Sequence, residues 1–278
     1  MPYDLHTHSA VSDGTTSPAE VVAAAAAAGV TGLALTDHDT GAGLAEAAAA
    51  AKVHGVDLVP GIEVSTSHRG RSVHLLAYGD VAGDPHLAGV LAGTVDSRRH
   101  RLRRIVDGVR RAVPALTVEA VLDRVPAGVT PGRPHVADAL VALGAVPTRD
   151  EAFRELLAED GPYYVPYRAP DLERTVADVV AAGGVAVLAH PGSRSAADVV
   201  DEATLERLTA VGLAGLEVDH RDHDPATRAR LRSLAGALGL LVTGASDYHG
   251  EGKQNRIAEH TTPDDVVHAL LARVRATD

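Results

Sequence analysis

The chain repeats one unit, and that repeat limits its fold more than any other feature. An alanine-rich stretch with helical spacing ends at glycine, a short apolar run follows, and the run closes on polar residues. "VVAAAAAAGVTGLALTDHD" (21–39) and "AAAAAKVHGVDLVPGIEVS" (47–65) show it first. "VADVVAAGGVAVLAHPG" (176–192), "LERLTAVGLAGLEVDH" (205–220) and "LAGALGLLVTGASDYHG" (234–250) repeat it. Glycine at the helix end supplies a left-handed cap. The runs are short and β-compatible, as buried parallel strands are. Helix alternating with strand predicts an α/β protein with parallel strands.

The polar residues that close these runs are of one chemical kind. They include Asp37 and His38, Glu63, His190, Glu217 to His220, and Asp247 with His249. The opening run "YDLHTH" adds His6 and His8, and "SVHLLAYG" (72–79) adds His74. Parallel barrels place catalytic groups on the carboxyl-end face of the sheet. A random scatter of histidines would not track strand ends in this way. Residues i and i+2 of a strand point to the same side, so His6 and His8 can grip one ion. Buried carboxylates such as Glu63 are costly unless paired or metal-bound. Several acids and imidazoles on one face therefore call for cations.

Residues 81–170 break the rhythm. They read as helices over 86–113, 117–124, 133–143 and 149–157, without clear strands. The expected organisation is a barrel formed by 1–80 and 171–278, with 81–170 inserted as a mainly helical subdomain over the carboxyl-end face. Such insertions meet substrate. The most basic segment, "DSRRHRLRRIVDGVRR" (96–111), carries an apolar stripe of Val95, Leu102, Val106 and Val109 at helical spacing. That pattern predicts a solvated arginine face, with a path for RNA phosphates as the lesser reading.

Composition narrows the chemistry. The chain has 278 residues and no cysteine, which removes thiolate ligands, cysteine nucleophiles and disulfides. Any metal must be held by His, Asp and Glu, ligands that suit Zn, Mn or Fe. Aromatics are 3 %, with no Trp, so stacking platforms for single-stranded nucleic acid are few. A net charge of −11 excludes a general polyanion binder and demands a local positive site for any phosphate. No apolar run approaches the ~18 residues of a membrane span, and no secretory leader is visible. A cytoplasmic protein without membrane contact or an obligate protein partner is expected.

"DLHTHS", "TDHD", "GIEVS", "VLAHPG" and "SDYHG" occur in the order seen in the PHP (polymerase and histidinol phosphatase) superfamily, which the chain thus resembles at both ends. The resemblance implies a distorted (β/α)7 barrel with two to three divalent metal ions. Carried over, it places His6, His8, Glu63 and Asp247 on a first ion. Glu63 bridges to a second, shared with His74 and His190, and Asp13, His38 and His249 hold a third. Some members carry histidine where this chain has Asp13. Asp37 and Asp39 flank a ligand and are expected to hydrogen-bond an imidazole. His220 is a candidate for substrate contact or catalysis, and His223 is expected at the surface.

Within the superfamily the chain looks most like the group with a helical insertion, which removes the 3′-phosphate of nucleoside 3′,5′-bisphosphates. Some of its members shorten 5′-phosphorylated RNA. The implied chemistry is attack by a metal-bridging hydroxide on a phosphate monoester. In "GRPHVADAL" (132–140), Arg133 offers a planar fork for phosphate and His135 a second donor; Arg194 in "HPGSRS" is a third candidate. Alternatives are a histidinol-phosphate phosphatase, a non-catalytic metal-binding module, or amide hydrolysis at a similar His-rich barrel.

Overall fold

A computed structural model describes residues 2–125, 129–158, 161–166, 168–193 and 196–274. Its strands are β1 (Tyr3–Thr7), β2 (Gly32–Leu35), β3 (Asp57–His68), β4 (Arg71–Tyr78), β5 (Val185–Leu188), β6 (Gly215–Asp219) and β7 (Leu241–Gly244). They hydrogen-bond in sequence order as one seven-stranded sheet. The helices on its outer side are α1 (Pro18–Ala27), α2 (Leu44–His54), α7 (Leu172–Ala181), α8 (Glu202–Ala210), α9 (Pro225–Leu238) and α10 (Asp264–Leu271). Between β4 and α7 lie α3 (Pro85–Val109), α4 (Val118–Leu122), α5 (Arg133–Ala142) and α6 (Arg149–Glu155).

The repeated unit folds as its sequence dictates. Gly55 and Gly239 cap α2 and α9 in the left-handed conformation, and the chain turns directly into β3 and β7. Ser17 caps α1 reciprocally. Its hydroxyl accepts from Glu20 N, and the Glu20 carboxylate accepts from Ser17 N at 2.8 Å. Such a cap stabilises a helix by about 1 kcal/mol.

The expectation of a uniformly parallel sheet is corrected by β4, which runs antiparallel to both β3 and β5. The β3–β4 turn is two residues long: His68 pairs with Arg71, and Arg69 and Gly70 have φ of 48° and 76°. Two successive positive φ values make a tight hairpin whose twist matches its strands. Because β4 runs backwards, His74 near its start reaches the face where the parallel strands end.

The sheet curls until its ends meet, nearly closing a barrel. Tyr3 and Thr262 exchange backbone hydrogen bonds of 2.9 and 2.8 Å, and His8 N donates to Tyr248 O at 2.8 Å. Leu5, Leu76, Val185 and Val187 fill one core against α10. Val64, Val73, Leu75, Leu188 and Leu216 join α7–α9 in another. The helices α3–α6 keep a core of their own, built on Ile105, Val106, Val109, Val136 and Leu140. Among the described residues no helix is long and apolar enough to cross a membrane.

Candidate metal centre

All nine side chains expected as ligands meet at the end of the barrel where the parallel strands finish. His6 Nε2 lies 3.0 Å from His8 Nε2. Both face Glu63 Oε2, at 3.3 and 3.1 Å, and Asp247 Oδ1, at 3.5 and 3.4 Å. The other Glu63 oxygen meets His74 Nδ1 at 2.8 Å and His190 Nε2 at 3.2 Å. On the far side, His249 Nε2 and His38 Nε2 approach Asp13 at 3.2 and 3.7 Å. The groups able to hold an ion overlap. His6, His8, His38 and Glu63 each belong to two: His8, Asp13, His38 and His249; His6, Glu63 and His190; His6, His8 and Asp247; His38, Glu63 and His74.

Local backbone geometry aims these groups. His190 and Asp247 have positive φ, as does Asp39 beside His38. Non-glycine residues pay of order 1–3 kcal/mol for such a conformation and keep it only where surroundings enforce it. Glu217 Oε2 accepts the His190 N–H at 2.7 Å, and Glu63 O accepts the Asp39 N–H at 3.0 Å. Asp13 hangs on a turn that needs Gly14, where a Cβ would sit 2.8 Å from His8 O. Asp37 ties that loop down. Its carboxylate accepts from Ser9 N (2.8 Å), Ser9 Oγ (2.7 Å) and Ser12 Oγ (2.7 Å).

Charge is strongly coupled. Burial opposes protonation of His6, but Glu217, Glu63 and Asp247 outweigh it and raise its pKa well above the usual value. His8 is likewise desolvated, yet hydrogen bonds to Asp247 and Glu63 carry it up to about 9. Burial would raise Glu63, but His38, His74 and His6 hold it well below the usual carboxylate range. Asp13 is lowered in the same way, against its burial, by His249 and His38. His249 falls to about 4 through burial and the nearby Lys253 ammonium.

Comparison with known proteins decides the family. The PHP domain model matches residues 4–106. The chain is 36% identical to the 3′,5′-nucleoside bisphosphate phosphatase of Chromobacterium violaceum, over 93% of this chain and 90% of that one. The chain belongs to the PHP family. It is 37% identical to the phosphoribosyl 1,2-cyclic phosphate 1,2-diphosphodiesterase of Eggerthella lenta, over 90% and 95% of the two chains. It is 32% identical to a 5′-3′ exoribonuclease of Haemophilus influenzae, over 89% of each. A crystal structure from Bifidobacterium adolescentis, assigned to the metal-dependent phosphoesterases, superimposes with a TM-score of 0.94 at 39% identity, covering 99% and 96%. This PHP protein is a metal-dependent phosphoesterase.

The residues fit divalent ions. Buried His38 Nδ1, His190 Nδ1 and His249 Nε2 have no hydrogen-bond partner of good geometry. Yet His38 Nδ1 is 3.0 Å from Glu63 and His249 Nε2 3.2 Å from Asp13. At both contacts a buried nitrogen and a carboxylate oxygen stand close together with no well-directed hydrogen bond between them. Bound cations explain that better than paired hydrogen bonds do.

The PHP barrel also uses residues that the sequence reading passed over or misplaced. Glu217 takes the His6 Nδ1–H at 3.0 Å, and Lys253 Nζ donates to Asp247 Oδ2 at 2.6 Å. Asp37 and Asp39 bind neighbouring backbone and side-chain groups, not imidazoles: Asp37 holds the Ser9–Ser12 loop, and Asp39 accepts from Ser65 N on β3 and pairs with Arg98 of α3 at 3.3 Å. Arg98 and Arg101 correct the solvated-face expectation. They turn inward from α3 and line a cavity of about 240 Å3 that also meets Asp13, His38 and His74. Arg99, Arg103, Arg104, Arg110 and Arg111 stay exposed. Arg133 and His135 border the same cavity. The Arg133 guanidinium lies 5.6 Å from the Phe153 ring centre, and His135 Nδ1 accepts from Gly132 N at 3.0 Å. His220 is buried, with Nδ1 accepting from Asp222 N (3.1 Å) and Nε2 3.6 Å from Asp247. His223 is buried too, accepting from Gly192 N and donating to Val218 O. Arg194 lies outside the described residues.

Proposed function

We propose that this PHP phosphoesterase removes the 3′-phosphate of nucleoside 3′,5′-bisphosphates. The observation that carries the reading is a basic cavity directly beside the ligand cluster. Arg98, Arg101, Arg133 and His135 border it on one side, and His38, His74 and Asp13 on the other. In a chain of net charge −11, such a pocket selects a small dianion. A substrate with two phosphates presents one to each side, and the second phosphate fixes the position of the first. The phosphatase of C. violaceum, similar over nearly the whole chain, supports this choice.

The geometry supports a set of roles. His6, His8, Asp13, His38, Glu63, His74, His190, Asp247 and His249 would hold two to three Mn, Fe or Zn ions. Bound there, such ions lower the pKa of water and offset charge on the phosphoryl oxygens. Arg133 and His135 hold the distal phosphate, Arg133 as a planar fork. Residues 81–170 act as a subdomain that brings these groups over the barrel mouth and limits water there. His220 and Lys253 both face the Asp247 carboxylate oxygen turned from His6 and His8, and they set its orientation.

A second cavity of about 420 Å3 lies beyond Pro134 and Phe153, against Asp13 and His249. It favours a second substrate, short 5′-phosphorylated RNA whose chain continues past the cleaved bond.

The test is phosphate release by protein reconstituted with Mn2+. Adenosine 3′,5′-bisphosphate is expected to give kcat/KM at least about tenfold above adenosine 3′-monophosphate or histidinol phosphate. No release from the bisphosphate, with brisk turnover of other monoesters, overturns the proposal.

A further inference from the structure

Phe153 is the chain's one phenylalanine, and the chain has no tryptophan. It sits on α6, half-buried, packed on one side against the helical core. Its other side borders all three spaces that open at the ligand cluster: the basic cavity, the space beyond Pro134, and a wider cleft over Glu63, His74 and His190. Among the described residues, no tyrosine borders any of the three. Tyr163 packs on the same helical core as a second aromatic, but only Phe153 of the two also borders these spaces. The Arg133 guanidinium lies near the ring, so one phosphate-binding group and one flat apolar surface stand side by side.

We infer that Phe153 is the wall on which the substrate's base stacks, so that esters carrying an aromatic base are selected over those that end at the sugar. The inference rests on the nucleotide reading above and narrows it. Every base has a π-face, so such a wall accepts all bases and rejects their absence. Arg133 beside the ring adds a cationic edge to the same platform. The phosphates and the base thus contact groups that adjoin, which matches a mononucleotide and not a bare phosphoribosyl ester.

The experiment compares adenosine 3′,5′-bisphosphate with the base-less 1-O-methylribose 3,5-bisphosphate, using Mn2+-loaded wild type, Phe153→Leu and Phe153→Trp. Wild type is expected to show a KM about tenfold lower for the nucleotide, as one stacked base allows. Phe153→Leu should erase that gap with kcat held within about twofold, and Phe153→Trp should keep it. The Phe153→Trp variant carries the chain's sole tryptophan, so its emission should be quenched by the nucleotide and not by the base-less ester. Full preference in Phe153→Leu, equal KM values in wild type, or emission unchanged at saturation each overturn the assignment. Failure of wild type to hydrolyse either bisphosphate overturns the nucleotide reading itself, and the inference with it.

Discussion

His6 is held from both ends: Glu217 takes its Nδ1–H at 3.0 Å while its Nε2 faces His8, Glu63 and Asp247. The carboxylate fixes the ring and its tautomer, and makes the outward nitrogen a better donor to a cation. Glu217→Gln keeps the shape and removes the charge. Metal affinity is expected to fall about 10- to 100-fold, read by titrating metal-free protein with Mn2+ against a competing chelator. Unchanged affinity would assign Glu217 to folding alone.

Proton linkage gives the metal-free protein a narrow stability window. His8 is raised from 6.5 to about 9, so its contribution is complete below pH 6.5 and is lost as pH rises through about 9. Asp13, Glu63 and Asp247 are lowered, so theirs is present above roughly pH 4–5 and is lost as pH falls through their folded values. His249, lowered to about 4, costs stability as pH falls below 6.5, so chelator-treated protein should melt highest at about pH 6–7. Cations displace the protons from His6 and His8, so calorimetry at pH 7–8 should record proton release on Mn2+ binding. A flat melting profile and no proton release would contradict the coupling.

Arg133→Met separates the two phosphates kinetically. Charge-assisted hydrogen bonds to a phosphate are worth about 1.5–3 kcal/mol. The variant should lose roughly 10- to 100-fold in kcat/KM on adenosine 3′,5′-bisphosphate, and only a few-fold on a monophosphate. Lysine should restore little, because it lacks the planar fork. Equal losses on both substrates would place Arg133 at the reacting phosphate instead.

Leu140, fully buried among α3–α6, probes the helical core. Leu140→Ala should cost about 2–5 kcal/mol in denaturant melts. Metal content at room temperature should stay at the wild-type value, because none of the nine expected ligands lies between residues 81 and 170. Loss of metal in a folded variant would show that the barrel end depends on these helices.

The barrel was legible because its signals are local: glycine after each helix, a short apolar run, a polar stop. The direction of β4 was not. "SVHLLAYG" has the same pattern in either sense, and the turn before it places Arg69, a poor candidate for positive φ, ahead of Gly70. Only that reversal explains how His74, early in its strand, reaches residues late in theirs. The nine clustered side chains were legible from strand ends and motif order. Arg98 and Arg101 were not, since a run of arginines reads as a wet surface until the packing of α3 selects a face. Glu217 lay among the acids noted at strand ends, but its grip on His6 spans 211 residues and leaves no local trace.

The join between the first and last strands has one more consequence. Few backbone bonds cross it, yet His6 and His8 stand on one bank and Asp247 and His249 on the other. An ion held by His6, His8 and Asp247 would rivet the two ends of the sheet. Metal occupancy and barrel closure would then be linked in a single equilibrium. Amide hydrogens of residues 3–8 and 244–249 should exchange faster whenever the rivet is drawn, while the strands opposite stay protected.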